Sequence, residues 1–137
     1  MTRVINTASP GKIRSQSRRT IAELLRHLMT KRGLDEESKD MASAIVLALR
    51  AIAGTIETTT EAWEKRNYFV KADRFRLEWE WAGQAAERLE SVIRQDAWEQ
   101  MPSELAALLP RFADVKIVKM TRKPEAWRSS YALLMQE

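Results

Sequence analysis

The chain has 137 residues, 45% of them hydrophobic and 31% charged, a balance that suits one globular domain with a real core rather than a disordered segment. It has no cysteine, which excludes disulfides, a thiolate nucleophile and cysteine-ligated metal. The formal net charge is +4, unevenly spread: residues 1–33 sum to +7, residues 34–99 to −5 and residues 100–137 to +2. A front-loaded positive charge points to a polyanion such as nucleic acid, or else to a solvated basic helix face. No continuous apolar run reaches the roughly 20 residues of a membrane span. The first 19 residues lack the apolar stretch of a signal peptide, so a cytoplasmic location is the expectation.

In chain order, residues 1–14 read as a loose basic arm with Pro10-Gly11 as a breaker. A first helix is expected from about Ser15 to Lys31, capped by Ser15 or Ser17, with Ile21, Leu24, Leu25 and Leu28 as its apolar stripe. Gly33 ends it. A long second helix follows, with Asp35, Glu36 and Glu37 in its first turn, where the macrodipole favours acids. Met41, Ile45, Leu49, Ile52, Ile56 and Trp63 carry its stripe.

The stretch Arg74-Phe75-Arg76-Leu77-Glu78-Trp79-Glu80-Trp81 alternates charge and bulk, the period of a half-buried strand. A longer pattern decides against that. Tyr68, Ala72, Phe75, Trp79, Ala82, Ala86, Leu89 and Ile93 step by four and three residues, which only a helix produces. Arg74–Glu78 and Arg76–Glu80 are opposite charges at i, i+4 and support it. Asn67 is the expected break or cap before this third helix.

Trp79 then belongs to the seam and is expected to be buried, while Trp81 lies about 200° away. With Leu77 and Ala85, Trp81 forms a second apolar face, a candidate partner-binding surface. Its cover is either another chain or the C-terminal segment, through Ile117, Trp127 and Tyr131.

Beyond Asp96 the elements shorten. A short helix is expected with Pro102 at its start and Pro110 at its end. Residues 115–120, VKIVKM, read as a short strand or an extended basic strap, and a last helical piece starts near Pro124. The fold class expected is all-α: an antiparallel bundle of about four main helices over residues 15–109, followed by a strap and short helix over 110–137.

Catalytic readings find little support. His27 is the only histidine and sits at the edge of the first stripe; Glu57, Glu61 and Glu64 lack the Glu-x-x-His spacing of bundle di-metal sites; the four glycines are scattered. No cofactor, metal or small-molecule substrate is expected. The nucleic-acid candidates are Lys12, Arg14, Arg18, Arg19, Arg26, Lys31 and Arg32, whose cations suit salt-sensitive contacts to a phosphate backbone. A second candidate is WEKRNYFVKADRFR (63–76), where basic and aromatic residues interleave as in single-strand platforms, although Trp63, Tyr68 and Phe75 are also seam positions.

In size, charge and helix content across residues 15–109, the chain resembles the small helical subunits of CRISPR effector complexes. It is similar in kind to the four-helix accessory proteins of diversity-generating retroelements. That resemblance implies basic faces that hold nucleic acid and other faces that contact protein partners. The expectation is therefore a non-enzymatic adaptor that binds nucleic acid through its N-terminal block, within a larger assembly. The alternative is a homo-oligomerising or protein-interaction module with no nucleic-acid role.

Overall fold

The computed structural model describes residues 8–137. Among them every regular element is helical: α1 (Pro10–Thr30), α2 (Glu36–Lys65), α3 (Phe69–Arg94), α4 (Met101–Leu108) and α5 (Ser130–Met135), with short 3₁₀ turns around α4 and before α5.

Pro10 starts the first helix instead of breaking the chain. The Ser9 hydroxyl accepts from the Lys12 N–H at 3.2 Å, and Pro10 takes the first helical position, where a missing N–H costs nothing. The start expected at Ser15 is thus five residues late. Of the expected loose arm, residues 1–7 lie outside the described residues, and residues 10–14 are helix.

Gly33, at φ +87°, makes the left-handed turn between α1 and α2. Asp35 caps α2 by accepting from the Ser38 N–H at 2.8 Å, with Glu36 and Glu37 in the first turn. At the other end Asn67 stands at φ 65°, the Tyr68 N–H reaches the Trp63 carbonyl and the Asn67 N–H the Glu64 carbonyl. That is a Schellman ending with asparagine in the glycine position. Asp96, at φ 55°, closes α3 in the same way, through Ala97 to Val92 and Asp96 to Ile93.

These turns fold α1 and α3 back along α2, which occupies the centre. Ile21, Leu24 and Leu25 of α1, Met41, Ile45, Leu49 and Ile52 of α2, and Ala82, Ala86, Leu89 and Ile93 of α3 form one buried cluster. By length and composition α2 is apolar enough to cross a membrane, although no single run signals it. Within this fold its apolar residues are the core. Alanines on α3 let the helices approach closely: a Cβ at Gly83 would sit 4.0 Å from that of Ala53.

Of the predicted α3 seam, Ala72, Ala82, Ala86, Leu89 and Ile93 are buried and Phe75 and Trp79 half-buried, while Tyr68, its first member, is 52% exposed. Arg76 does not pair with Glu80. It reaches across to Glu64 of α2 at 2.8 Å, a bidentate contact that ties the hairpin.

The strand reading of 115–120 is not realised. The segment crosses the outside of α1, packing Val115, Ile117 and Met120 on the core while Val118 is 85% exposed. Irregular backbone without a partner strand needs other bonds, and α1 side chains supply some of them. Thereafter α5 docks on α2: Asp40 accepts from the Ser129 and Tyr131 N–H groups, Arg50 binds Glu137 at 2.9 Å, and Leu134 is fully buried.

Gly54 offers a simple check. It lies in mid-α2, exposed, with open space where a Cβ would stand. Gly54→Ala is expected to stabilise the protein by about 1 kcal/mol, because glycine loses more backbone entropy in a helix than alanine. Thermal melting should rise by roughly 3 °C. A fall would show that this turn of α2 needs glycine for another reason.

Candidate nucleic-acid interface

The seven candidate cations do not form one free stripe. Lys12 and Arg32 are exposed, with no side-chain partner among the described residues. Lys31 is held by Asp35 and Glu37, each at 2.9 Å. The remaining four are fixed in place.

Arg14 lies over the rings of Phe75 and Trp79, 5.0 and 5.5 Å from their centroids. Burial pulls its pKa down, against the raising field of Glu78, and its Nε is buried without a hydrogen-bond partner. Arg18 makes a two-pronged contact with Asp114 (2.7 and 2.9 Å), donates to the Arg111 carbonyl at 2.7 Å and covers Phe112 at 5.4 Å. Arg19 donates to Glu23 at 2.7 Å and to the Lys116 carbonyl at 2.9 Å. Arg26 donates to the Ile117 carbonyl at 2.8 Å.

Glu23 is the anchor of this arrangement. It is 1% exposed and accepts from Arg19, from the Thr121 N–H and hydroxyl and from the Arg122 N–H. Burial raises its pKa, but the bonds from Thr121, Arg19 and the two backbone N–H groups outweigh that and bring it down to about 2. The strap thus clips onto α1 along its length. Arg122 completes the clip by donating to Thr20 at 2.8 Å and to the Gln16 carbonyl at 3.1 Å.

Fixing these arginines does not neutralise the face. Carbonyls are uncharged, so most of the bonds orient a guanidinium without cancelling its charge. Residues 18–26 of α1 and 111–123 of the strap together carry eight cations, Arg18, Arg19, Arg26, Arg111, Lys116, Lys119, Arg122 and Lys123, against Glu23 and Asp114. Lys116, Lys119 and Lys123 are exposed with free side chains among the described residues. Arg26, His27, Thr30 and Lys119 surround a depression of about 280 Å³ between helix and strap. His27 itself faces Glu37, 3.4 Å away. Among the described residues no three His, Asp or Glu side chains converge as a metal site would require.

The chain matches no family model, no curated protein and no solved structure. Its own geometry therefore carries the functional reading.

The strap lysines were not among the residues singled out in the sequence. Their signal was present, as the basic character of residues 115–123, but not the docking that lays them beside α1. The second candidate, residues 63–76, resolves into two parts. Trp63 and Phe75 meet edge to face at 5.1 Å, with Lys71 over Trp63 at 4.3 Å. Tyr68, Phe69 and Val70 stay exposed at the tip of the α2–α3 hairpin.

The candidate partner face changes most. Ala85 is 3% exposed and belongs to the buried cluster. Trp81 is half-buried, in contact with the ring of Phe112 at 5.7 Å and with Arg111 at 5.0 Å, while the expected rings of Trp127 and Tyr131 make no ring contact with it among the described residues and Ile117 packs on the core cluster. Trp79 is only half-buried and stacks on Trp81 at 5.8 Å, since two long indoles meet although their Cβ atoms diverge. Of the three residues only Leu77, at 68%, is open.

Proposed function

We propose that this chain is a non-enzymatic accessory subunit of a nucleoprotein assembly, a bundle of about four helices that holds the phosphate backbone of a nucleic acid against the α1–strap face. The supporting observation is that the two segments that meet there, residues 18–26 and 111–123, carry eight cations against two carboxylates. Arg19, Arg26 and Arg122 are already oriented by the carbonyls of Lys116, Ile117 and Gln16, so less side-chain entropy is lost when an anion arrives. Lys116, Lys119 and Lys123 add mobile point charges along the strap. Contacts of this kind release counterions and carry no sequence preference. The class likeness in size and charge to CRISPR small subunits and retroelement accessory proteins agrees with this reading. The N-terminal candidates Lys12 and Arg32 would extend the contact only at its ends.

A salt titration of binding to single-stranded and duplex RNA and DNA tests the proposal. Lys116, Lys119 and Lys123 have free side chains, so changing all three to alanine removes charge without unclipping the strap. The triple variant is expected to lower the slope of log K against log salt by about 2 on single strands. Equally weak binding by wild type and variant at about 50 mM salt would refute the reading.

A further inference from the structure

The chain has five tryptophans, two tyrosines and three phenylalanines. Seven of these pack ring against ring, and Trp127 is buried. The two left over are neighbours. Tyr68 (52% exposed) and Phe69 (53%) stand at the tip of the α2–α3 hairpin, and among the described residues neither ring meets another ring or a cation. Side chains on a helix tilt toward its N-terminus, so Phe69, the first residue of α3, leans toward the end of the hairpin.

The tip is basic as well. Residues 65–72 hold Lys65, Arg66 and Lys71 and no acid. The acids that flank the segment, Glu64 and Asp73, are both drawn to Arg76, at 2.8 and 3.6 Å. Lys65 and Arg66 are exposed without a side-chain partner among the described residues, and Lys71, over Trp63 at 4.3 Å, keeps its charge.

We propose that this tip is a stacking site for unpaired bases, so that the nucleic acid is single-stranded where it meets the α2–α3 turn. The inference rests on the reading that the chain binds nucleic acid. Free ring faces beside cations are what single-strand sites combine: bases of any identity stack on the rings, and the cations hold the phosphates between them. Duplex bases are already stacked on one another and show a protein only their edges, so the tip discriminates against them. Val70 apart, the tip offers rings and not the broad aliphatic face with which a helix enters a lipid layer. Along α3, Phe69 lies about 18 Å from Trp81, where Arg111 and Phe112 begin the strap face. A strand of about 16 nucleotides, the upper size for one single-strand module, is long enough to engage both.

Fluorescence anisotropy of a labelled oligonucleotide of that length, single-stranded and as duplex, at about 50 mM salt tests the site. A double variant, Tyr68→Ala with Phe69→Ala, is expected to weaken single-strand binding by about tenfold or more, with duplex binding, salt slope and melting temperature unchanged. Tyr68→Leu with Phe69→Leu, which keeps apolar bulk without rings, should behave like the alanine pair, whereas Tyr68→Phe with Phe69→Tyr should bind like wild type. If the alanine pair binds single strands like wild type while changing Lys116, Lys119 and Lys123 weakens them, the tip proposal falls and the strap reading stands. The converse result sinks the strap reading and keeps the tip. Equal loss on single strand and duplex overturns the proposal, as does leucine rescue. Loss of binding to anionic phospholipid vesicles with single-strand binding intact makes the tip a lipid contact and also overturns it. A wild type that binds neither form overturns both readings.

Discussion

Glu23→Gln is expected to lower stability by about 3 kcal/mol and to release the strap from α1. The substitution keeps the volume but removes the charge that Arg19 is paired with, and it turns one acceptor into a donor facing the Thr121 and Arg122 N–H groups. Breaking one partner of a buried charged cluster is costly because the other is left desolvated. For a chain of this length the melting temperature should fall by roughly 10 °C, and the bonds around residues 116–122 should become open to limited proteolysis. Asp114→Asn provides the comparison: its carboxylate is also paired with an α1 arginine, but its side chain is 68% exposed, so a loss of about 1 kcal/mol or less is expected. Equal losses in the two variants would show that Glu23 is not the anchor.

The same carboxylate gives the fold an acid transition. With its folded pKa at about 2, below the value of about 4.3 it has in an unfolded chain, Glu23 contributes stability that is complete above the unfolded value. The contribution is lost as pH falls from about 4 toward 2. Stability of the Gln variant should be flatter than that of wild type over this window.

The long helices were legible because their signals are local. The α3 seam repeats every three or four residues, and Asp35 and Asn67 mark ends by their own chemistry. Pro10 was ambiguous, since Pro-Gly punctuates loops and proline also starts helices; Ser9 in front of it decides between the two. The basic block was harder to read. Arg18, Arg19 and Arg26 look like free cations because what holds them in part is backbone carbonyls 91 to 97 residues away, and a carbonyl has no letter in the sequence. Residues 115–120 have a strand's composition but no strand to pair with among the described residues, so Arg19 and Arg26 bond the carbonyls of Lys116 and Ile117, and Glu23 takes the N–H groups of Thr121 and Arg122 just beyond.

Trp81→Ala is expected to cost about 3 kcal/mol in the isolated monomer. The indole is the fourth ring in a continuous series, Trp63, Phe75, Trp79, Trp81 and Phe112, with successive centroids 5.1, 6.3, 5.8 and 5.7 Å apart. Arg14 lies over Phe75 and Trp79, Arg111 over Trp81 and Arg18 over Phe112. Removing a half-buried ring from the middle of this series loses its apolar burial, two aromatic contacts and the seat of a guanidinium. It also detaches Phe112, which is 5% exposed and marks where the chain leaves α4 to begin the strap. Melting at a protein concentration of about 1 µM should therefore drop by roughly 10 °C. Phe112→Ala should produce a comparable loss. The double variant should lose less than the sum, by about 1 kcal/mol, because the edge-to-face contact can be removed only once. A Trp81→Ala protein that melts within about 1 °C of wild type at that concentration would show that the ring is not held from within.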